Sequence, residues 1–172
     1  MINSIAIVGC GTIGSVLSMR LAEEHIVSTL KIYDFDHVTG DSYPFKETQR
    51  GLLKIDIIQF LCNKINPYMV VDVHNQKVLT PGIESQFIID CRDDKNTNIG
   101  SDIRISLDGF RLFIDAKDNK DCIKSYHKYV FPRDPYSIEK AIKIVIEYLK
   151  NGIYIFKDIR FYNLKNDSVV IF

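Results

Sequence analysis

The sequence lacks an excess of charge of either sign, which removes one common reason for binding nucleic acid or an anionic membrane. Its 22 basic residues balance its 22 acidic residues, and the isoelectric point is near 6.9. Surfaces that hold polyanions by electrostatic attraction usually carry an excess of lysine and arginine. We therefore expect neither nucleic acid nor membrane as a partner.

Long apolar runs and a leader-like start are also missing. No stretch is long enough to cross a bilayer, and the first residues enter a strand-like run without the basic and apolar regions of a signal peptide. The cysteines (Cys10, Cys62, Cys91 and Cys122) form no Cys-x-x-Cys pair, and the histidines show no spacing typical of a metal site. We therefore expect reduced, mostly buried thiols and a cytoplasmic protein.

What the sequence does contain is an alternation of apolar strand-like runs and amphipathic helices. Strands are predicted at 4–8, 30–33, 69–73, 87–89 and 112–114, and helices at 16–22, 51–65 and 137–149. Ser137 is the predicted N-cap of the last helix. Strands at 153–162 and 168–172 are expected to form a hairpin through Asn166 and Asp167. This pattern predicts an α/β fold over residues 1–172, a single Rossmann-like domain with a mainly parallel sheet flanked by helices and an antiparallel C-terminal strand pair.

A glycine loop follows the first predicted strand and opens the first helix. It reads Gly9-Cys-Gly11-Thr-Ile-Gly14. The first glycine permits a tight turn, the second lets a phosphate approach the backbone, and the third lets helix and strand pack closely. The helix N-terminus, at Thr12 and Ile13, adds free N–H groups and a partial positive charge. These features predict a phosphate-binding loop.

An aspartate stands where such sites bind a ribose. Asp34 follows Gly14 by 20 residues, at the predicted end of the second strand, where a carboxylate can accept hydrogen bonds from ribose hydroxyls. This context predicts nucleotide binding, and NAD is the usual ligand of the fingerprint. An NAD-dependent oxidoreductase therefore stays an alternative.

Further motifs follow the glycine loop in a fixed order. They are the strand end Asp34-Phe-Asp36, the segment Gly51-Leu-Leu-Lys54, the pair Asn66-Pro67 and the strand end Asp90-Cys-Arg-Asp93-Asp94. Together with the glycine loop, this order resembles the ThiF/MoeB family of adenylating enzymes, which are related to ubiquitin-activating enzyme. The resemblance covers about residues 4–95, somewhat over half of the chain.

The resemblance implies a site for ATP and Mg²⁺. The glycine loop would hold ATP, with Asp34 on the ribose and with Asp36 and Ser42 as further contacts. Lys54 would contact the phosphates and Asp93 would hold Mg²⁺, and these two are the candidate catalytic residues. A substrate carboxylate, such as the C-terminus of a small ubiquitin-like or carrier protein, would attack the α-phosphate to give an acyl-adenylate and pyrophosphate. The resemblance also implies a homodimer.

The sequence departs from the family pattern where the family supplies cations. The loop after the second strand normally carries an asparagine and an arginine, and the matching positions are near Ser42 and Phe45. Phe45 cannot neutralise phosphate charge, which leaves Lys46 or Arg50 as replacements. The family's N-terminal helices with a second arginine, and the zinc-binding cysteine pairs of many members, have no counterpart. A non-catalytic nucleotide-binding or scaffolding relative is therefore the main alternative, and Cys122 is interpreted as an inert thiol.

Overall fold

The computed structural model describes residues 2–40, 43–93, 98–108, 111–116, 135–152 and 160–171. The elements in these ranges are β1 (Ile2–Val8), α1 (Thr12–Glu23), β2 (Val27–Asp34), α2 (Lys54–Ile65), β3 (Val70–Asn75), β4 (Phe87–Asp90), β5 (Ile103–Asp108), β6 (Arg111–Ala116), α3 (Pro135–Lys150), β7 (Arg160–Asn163) and β8 (Ser168–Ile171). A short 3₁₀ turn, Glu47–Gln49, precedes α2. No helix in the described ranges is long and apolar enough to cross a membrane.

The described strands form one sheet in the order β3-β2-β1-β4-β5-β6-β7-β8. The strands from β3 to β5 in this order run parallel to their neighbours. Strand β6 pairs antiparallel with β5, β7 with β6, and β8 with β7. The prediction of an α/β, Rossmann-like sheet flanked by helices is therefore confirmed.

The two faces of the sheet are covered differently. Side chains of β1 alternate between the faces, and Ile5 and Ile7 join the main core with the apolar stripes of all three helices. Helix α1 contacts both α2 and α3 on this face. The other face carries a smaller apolar cluster, which consists of Ala6, Val8, Tyr33, Val78, Ile88 and Ile99. Burial on both faces explains why β1 and β4 read as continuous apolar runs.

One strand has no counterpart in the sequence prediction. Strand β5 buries Ile103, Ile105 and Leu107, while the residues between them are half-buried. This period of two is typical of a strand with unlike faces, and it is the signal that could have identified β5. The strand matters for the site because it places Arg104 beside Asp90 of β4.

Two helices begin at residues other than those predicted. Helix α2 starts at Lys54 rather than at Gly51, because Gly51 has a left-handed φ of +84° that no α-helix contains. Helix α3 starts at Pro135, so Ser137 is a buried residue of its first turn and the N-cap prediction is wrong. Proline suits a helix start because it has no N–H to leave unpaired. Residues 153–159 of the predicted hairpin lie outside the described residues.

The carboxyl ends of four parallel strands meet at one edge of the sheet. In the register of the sheet, Val8 lies beside both Tyr33 and Asp90, and Asp34 lies beside Asn75. The chain runs outward from β1 to β3 on one side and then returns to β4 on the other side of β1. Such a reversal leaves a crevice at the carboxyl ends, and this is where open α/β sheets bind ligands.

Candidate functional site

A cleft of about 270 Å³ lies at this carboxyl edge. Its lining comes from the glycine loop, the end of β2, the start of α2, residues 76–78 after β3 and residues 91–93 after β4. The volume is close to the lower end of the range for small-molecule sites, about 300 Å³. The predicted site residues that line it are Gly9, Gly11, Asp34, Asp36, Lys54 and Asp93.

The three glycines of the loop differ in whether the fold itself requires glycine at their positions. Gly9 has a φ of +96°, and a Cβ there would lie 2.9 Å from the backbone N of Arg92. A Cβ on Gly14 would lie 1.9 Å from the carbonyl oxygen of Gly9, so this glycine is needed for helix packing. Gly11 is different, because no atom lies within 4 Å of a Cβ built there and its φ is −70°. The fold therefore does not require glycine at position 11.

The N-terminus of α1 opens beside Gly11. Gly11 is the N-cap, no side chain caps the helix, and the first intrahelical bond runs from the Ser15 N–H to the Gly11 carbonyl at 2.9 Å. The N–H groups of Thr12, Ile13 and Gly14 therefore have no carbonyl within the helix to bind. The Ile13 side chain lies in the main core, and neither it nor the Thr12 side chain lines the cleft. The structure therefore gives no support for a side-chain contact from these two residues, and their backbone N–H groups remain the predicted contact with a ligand.

Asp34 ties the glycine loop to the end of β2. The N–H of Cys10 donates to its Oδ2, and the N–H of Asp36 donates to its Oδ1 at 2.7 Å. Asp34 is only 8 % exposed, yet each carboxylate oxygen retains acceptor capacity for a hydroxyl group. The carboxylate thus fixes the loop in addition to being placed where it could bind a ribose.

The first residue of α2 brings an ammonium group to the cleft. The backbone N–H of Lys54 donates to the Asp36 carbonyl at 3.1 Å, and its Nζ lies 3.2 Å from Asp36 Oδ2. The Lys54 side chain is 18 % exposed, whereas that of Asp36 is 52 % exposed. Because the carboxylate of this pair is well hydrated, a phosphate could compete for the ammonium group.

The structure adds an arginine to the predicted site residues. Arg92 donates to both oxygens of Asp90, from Nε at 2.9 Å and from Nη2 at 3.0 Å, and from Nη1 to the Val78 carbonyl at 2.6 Å. Asp90 is buried, and Arg104 Nε lies 3.8 Å from its Oδ2. Arg92 therefore joins the segment after β3 to the end of β4. In the sequence, the position of Arg92 between Asp90 and Asp93 in the strand-end motif is the signal that could have identified it.

Lys77 is a second cation that the sequence analysis does not include. It lies two residues beyond β3, is exposed, and has its Nζ 5.8 Å from the centre of the Phe35 ring. Phe35 itself is 45 % exposed at the cleft. The sequence signal for Lys77 is its position just after a strand whose carboxyl end meets the same edge of the sheet.

Comparisons with known proteins find the same fold in solved structures. No family model and no curated protein matches the sequence. E. coli MccB with ATP matches at a TM-score of 0.72 and 14 % identity, over 99 % of this chain and 63 % of that chain. PaaA matches at a TM-score of 0.71 and 17 % identity, also over 99 % of this chain and 63 % of that chain. E. coli tRNA N6-threonylcarbamoyladenosine dehydratase with ATP matches at 0.50 and 24 % identity, over 55 % of this chain and 43 % of that chain.

These three proteins belong to the ThiF/MoeB family of adenylating enzymes. This chain has the ThiF/MoeB fold. The resemblance predicted from residues 4–95 is therefore confirmed for the fold, and the structural match extends over 99 % of the chain. The chain spans 63 % of the length of the MccB and PaaA chains that it matches.

Within this ThiF/MoeB fold, the loop between β2 and α2 does not place Lys46 or Arg50 in the lining of the cleft. Phe45 is 4 % exposed in the main core. Arg50 forms a surface ion pair with Glu47, and Lys46 is exposed, with its backbone N–H bound to the Gln49 side chain. Neither Lys46 nor Arg50 lines the cleft, so their placement does not support them as replacements for the loop arginine.

The acidic residues of the cleft fit Mg²⁺ that arrives with a nucleotide. Asp93 is exposed at the cleft. Among the described residues, no group of three or more His, Cys, Asp or Glu side chains could hold a metal by itself. Mg²⁺ in nucleotide sites uses one or two carboxylates together with phosphates and water, so a single aspartate is compatible with the predicted role. Ser42 and Asp94 lie outside the described residues.

Three of the four thiols are buried and free, as predicted. Burial raises the pKa of Cys10 and of Cys62 to about 12, and it raises that of Cys91 well above the usual range. Thiols that hold their proton so firmly are poor nucleophiles. Cys122 lies outside the described residues.

Proposed function

We propose that the cleft binds ATP with Mg²⁺ and that the protein adenylates a carboxylate. The observation that carries this proposal is Gly11, a glycine where the fold leaves room for a Cβ, at an uncapped helix N-terminus. A phosphate needs both that room and those N–H groups. Asp34, Lys54 and Asp93 line the same cleft. Two proteins of the same fold were crystallised with ATP.

The residues have separate roles in this proposal. The N-terminus of α1 holds the phosphates, and Asp34 accepts hydrogen bonds from the ribose. Lys54 neutralises phosphate charge, and Asp93 holds Mg²⁺, which polarises the phosphoryl oxygens when it is bound. The substrate carboxylate attacks the α-phosphorus, the bond from that phosphorus to the bridging oxygen breaks, and pyrophosphate leaves. Preorganised cations stabilise the charge that develops on the leaving oxygens.

The proposed carboxylate is the C-terminus of a peptide or of a small ubiquitin-like or carrier protein. MccB, which shares the fold, was crystallised together with AMPCPP and MccA. A cleft at the carboxyl edge of a sheet is open to solvent on one side and can accept the end of an extended chain. The substrate is therefore expected to reach the α-phosphate from outside the sheet.

A non-catalytic nucleotide-binding or scaffolding role is the second candidate, and Phe45 favours it. The family arginine expected near this position would neutralise phosphate charge, whereas the Phe45 side chain is buried in the core. Each preorganised cation is typically worth about a hundredfold in rate. A site that lacks this cation would still bind ATP through the backbone of the glycine loop.

Calorimetric titration with ATP and with NAD, each with and without Mg²⁺, tests the proposed ligand. We expect ATP to bind, Mg²⁺ to strengthen the binding, and NAD to be rejected. Asp93→Asn should remove the effect of Mg²⁺, whereas Asp56→Asn, a matched change on an exposed aspartate outside the cleft, should not. Failure of the wild type to bind ATP would refute the proposal, and binding of NAD instead would favour the oxidoreductase.

We also propose that the protein is a single-domain, cytoplasmic homodimer, as the family resemblance and the thiol content predict. One chain has a mass of 19.8 kDa. Light scattering should therefore report about twice that mass, and the single-chain mass at every concentration would refute the dimer. A single cooperative unfolding transition would support one domain.

A further inference from the structure

We propose that Arg92 is a positioning residue, which supports nucleotide binding by fixing the shape of the cleft and not by attracting the phosphates with its charge. The glycine loop, the segment after β3 and the end of β4 all line the cleft, and all three meet at this side chain. The inference rests on the proposed ATP-binding function, and it assigns a role to a residue that this function leaves without one.

The charge of Arg92 is already paired within the protein. Its guanidinium group donates to both carboxylate oxygens of Asp90, from Nε at 2.9 Å and from Nη2 at 3.0 Å. Arg104 Nε comes only within 3.8 Å of the same carboxylate, so Arg92 is the closer partner. The side chains of Arg92 and Asp90 are 10 % and 3 % exposed. Since a buried arginine depends on its carboxylate partner, we attribute the contribution of Arg92 to the segments that it holds together.

The same guanidinium group holds the wall of the cleft after β3. Its Nη1 donates to the Val78 carbonyl at 2.6 Å, and the Val78 side chain is buried in the small apolar cluster on that face of the sheet. Strands β2 and β1 lie between β3 and β4 in the sheet. The hydrogen bond therefore joins segments whose strands are not neighbours, across the edge where the cleft lies.

The stem of Arg92 lies against the glycine loop. A Cβ built on Gly9 would lie 2.9 Å from Cγ of Arg92 and 2.9 Å from its backbone N. That backbone N–H donates to Asp90 Oδ1 at 3.0 Å, so Arg92 is held at its backbone as well as at its guanidinium group. A change in the guanidinium contacts should therefore alter the spacing between the wall and the loop, and with it the shape of the cleft.

Lysine at position 92 separates the effect of shape from the effect of charge. Arg92→Lys leaves Asp90 a cationic partner, but an ammonium group lacks the planar fork that reaches Asp90 and Val78 together. Losing the bond to Val78 favours forms in which the wall is open, and ligand affinity falls with the fraction of molecules whose cleft is closed. Because ATP and adenosine bind the same closed cleft, they should lose affinity equally.

The test compares Arg92→Lys with Arg20→Lys by calorimetric titration with ATP–Mg²⁺ and with adenosine. Arg20 also donates from Nε and Nη2 to a carboxylate, that of Glu139, and it lies outside the cleft. We expect Arg92→Lys to weaken both ligands by the same factor, about two- to tenfold, at low and at high salt. Arg20→Lys should bind both as the wild type does. Arg92→Gln, which removes the charge as well, should weaken both at least as much and replaces the lysine variant if that variant does not fold.

Limited proteolysis tests the wall without any nucleotide. Trypsin cleaves after Lys77, which directly precedes Val78, and cleavage there depends on local opening of the segment. In Arg92→Lys this cleavage should be at least about threefold faster than in the wild type. Cleavage after Lys64, on α2, should keep its wild-type rate, and mass spectrometry of the fragments distinguishes the two sites.

The outcomes separate this inference from the proposed function. If the wild type binds no ATP, the function fails and the inference fails with it. If the wild type binds ATP and Arg92→Lys binds it equally well, only the inference is overturned. A loss confined to ATP that shrinks as salt is added would show that Arg92 acts through its charge, and it would overturn the inference too. The same holds for an equal loss in Arg20→Lys and for an unchanged rate of cleavage after Lys77.

Discussion

Two glycines at the start of α1 allow the stability of the loop to be separated from ligand binding. Gly11 has φ −70° and ψ −164°, values that asparagine adopts freely, and a Cβ built there meets no atom within 4 Å outside its chain neighbours. In Gly11→Asn the amide oxygen can accept an N–H of the first turn and cap the helix. The same side chain would occupy the room and the N–H groups proposed for a phosphate. We therefore expect stability to rise while ATP affinity falls.

The expected magnitudes follow from the local geometry. A better cap adds a few tenths of a kcal/mol, and replacing glycine lowers the entropy of the unfolded chain, for a total of about 0.5–1.5 kcal/mol. In a chain of this size that corresponds to a rise in Tm of about 1–6 °C. In Gly14→Ala the new Cβ would lie 1.9 Å from the Gly9 carbonyl oxygen. Such overpacking costs about 1–3 kcal/mol and should lower Tm by about 2–12 °C.

Thermal unfolding without ligand and titration with ATP–Mg²⁺ measure the two quantities independently. We expect Gly11→Asn to unfold at a higher temperature than the wild type and to bind ATP at least about tenfold more weakly, a change of about 1.4 kcal/mol. Wild-type affinity in this variant would refute the reasoning, because the space at Gly11 would then serve no ligand. A large loss of stability would refute it as well, because the fold would then need this glycine.

Three further predictions concern the loop, a partly exposed hydrogen-bond network around Glu139 and catalysis. Phe45→Arg should lower the free energy of unfolding by about 3–5 kcal/mol, because it places a charge in the core. Thermal unfolding checks this, with Lys46→Arg at the neighbouring exposed position as the control that should unfold like the wild type. Burial would raise the pKa of Glu139, but hydrogen bonds from Tyr43 and Arg20 lower it on balance below 4.5. Above pH 4.5, Glu139→Gln should therefore lower the free energy of unfolding by about 0.5–1 kcal/mol. In denaturant titrations, the difference in stability between this variant and the wild type should vanish as the pH falls through the pKa of Glu139 in the folded state. The isolated protein should show weak pyrophosphate–ATP exchange, and robust exchange that Asp93→Asn abolishes would contradict the argument from the missing loop arginine.

Local patterns were sufficient to predict the elements that build the site. Strands buried on both faces, such as β1 and β4, are continuous apolar runs, and the glycine spacing indicates the turn between β1 and α1. Strand β5 was missed because only every second residue is buried, so it has no continuous apolar run in the sequence. The start of α3 was missed because serine is a common N-cap, whereas the helix begins at Pro135, two residues earlier.

The site itself could be predicted only as far as its motifs reach. The positions of Asp34 and Lys54 follow from local spacing, because each lies at the end of a predicted element. Lys77 and Arg92 enter the cleft because separate strands end at one edge of the sheet, and the hydrogen bond from Arg92 to Val78 depends on that tertiary arrangement. The hydrogen bond from Cys10 to Asp34 likewise joins residues that are 24 positions apart.

The unequal covering of the two sheet faces has a consequence for local opening. Three helices protect one face, whereas the described part of the other is protected by a small cluster to which the segment after β3 contributes Val78. A segment that buries little apolar area opens at a lower free energy than the whole fold. Backbone amides of residues 76–86 should therefore exchange their hydrogens with solvent earlier than those of β1 and α1. A nucleotide that contacts this wall of the cleft should slow the exchange, since a ligand bound to the closed form stabilises it.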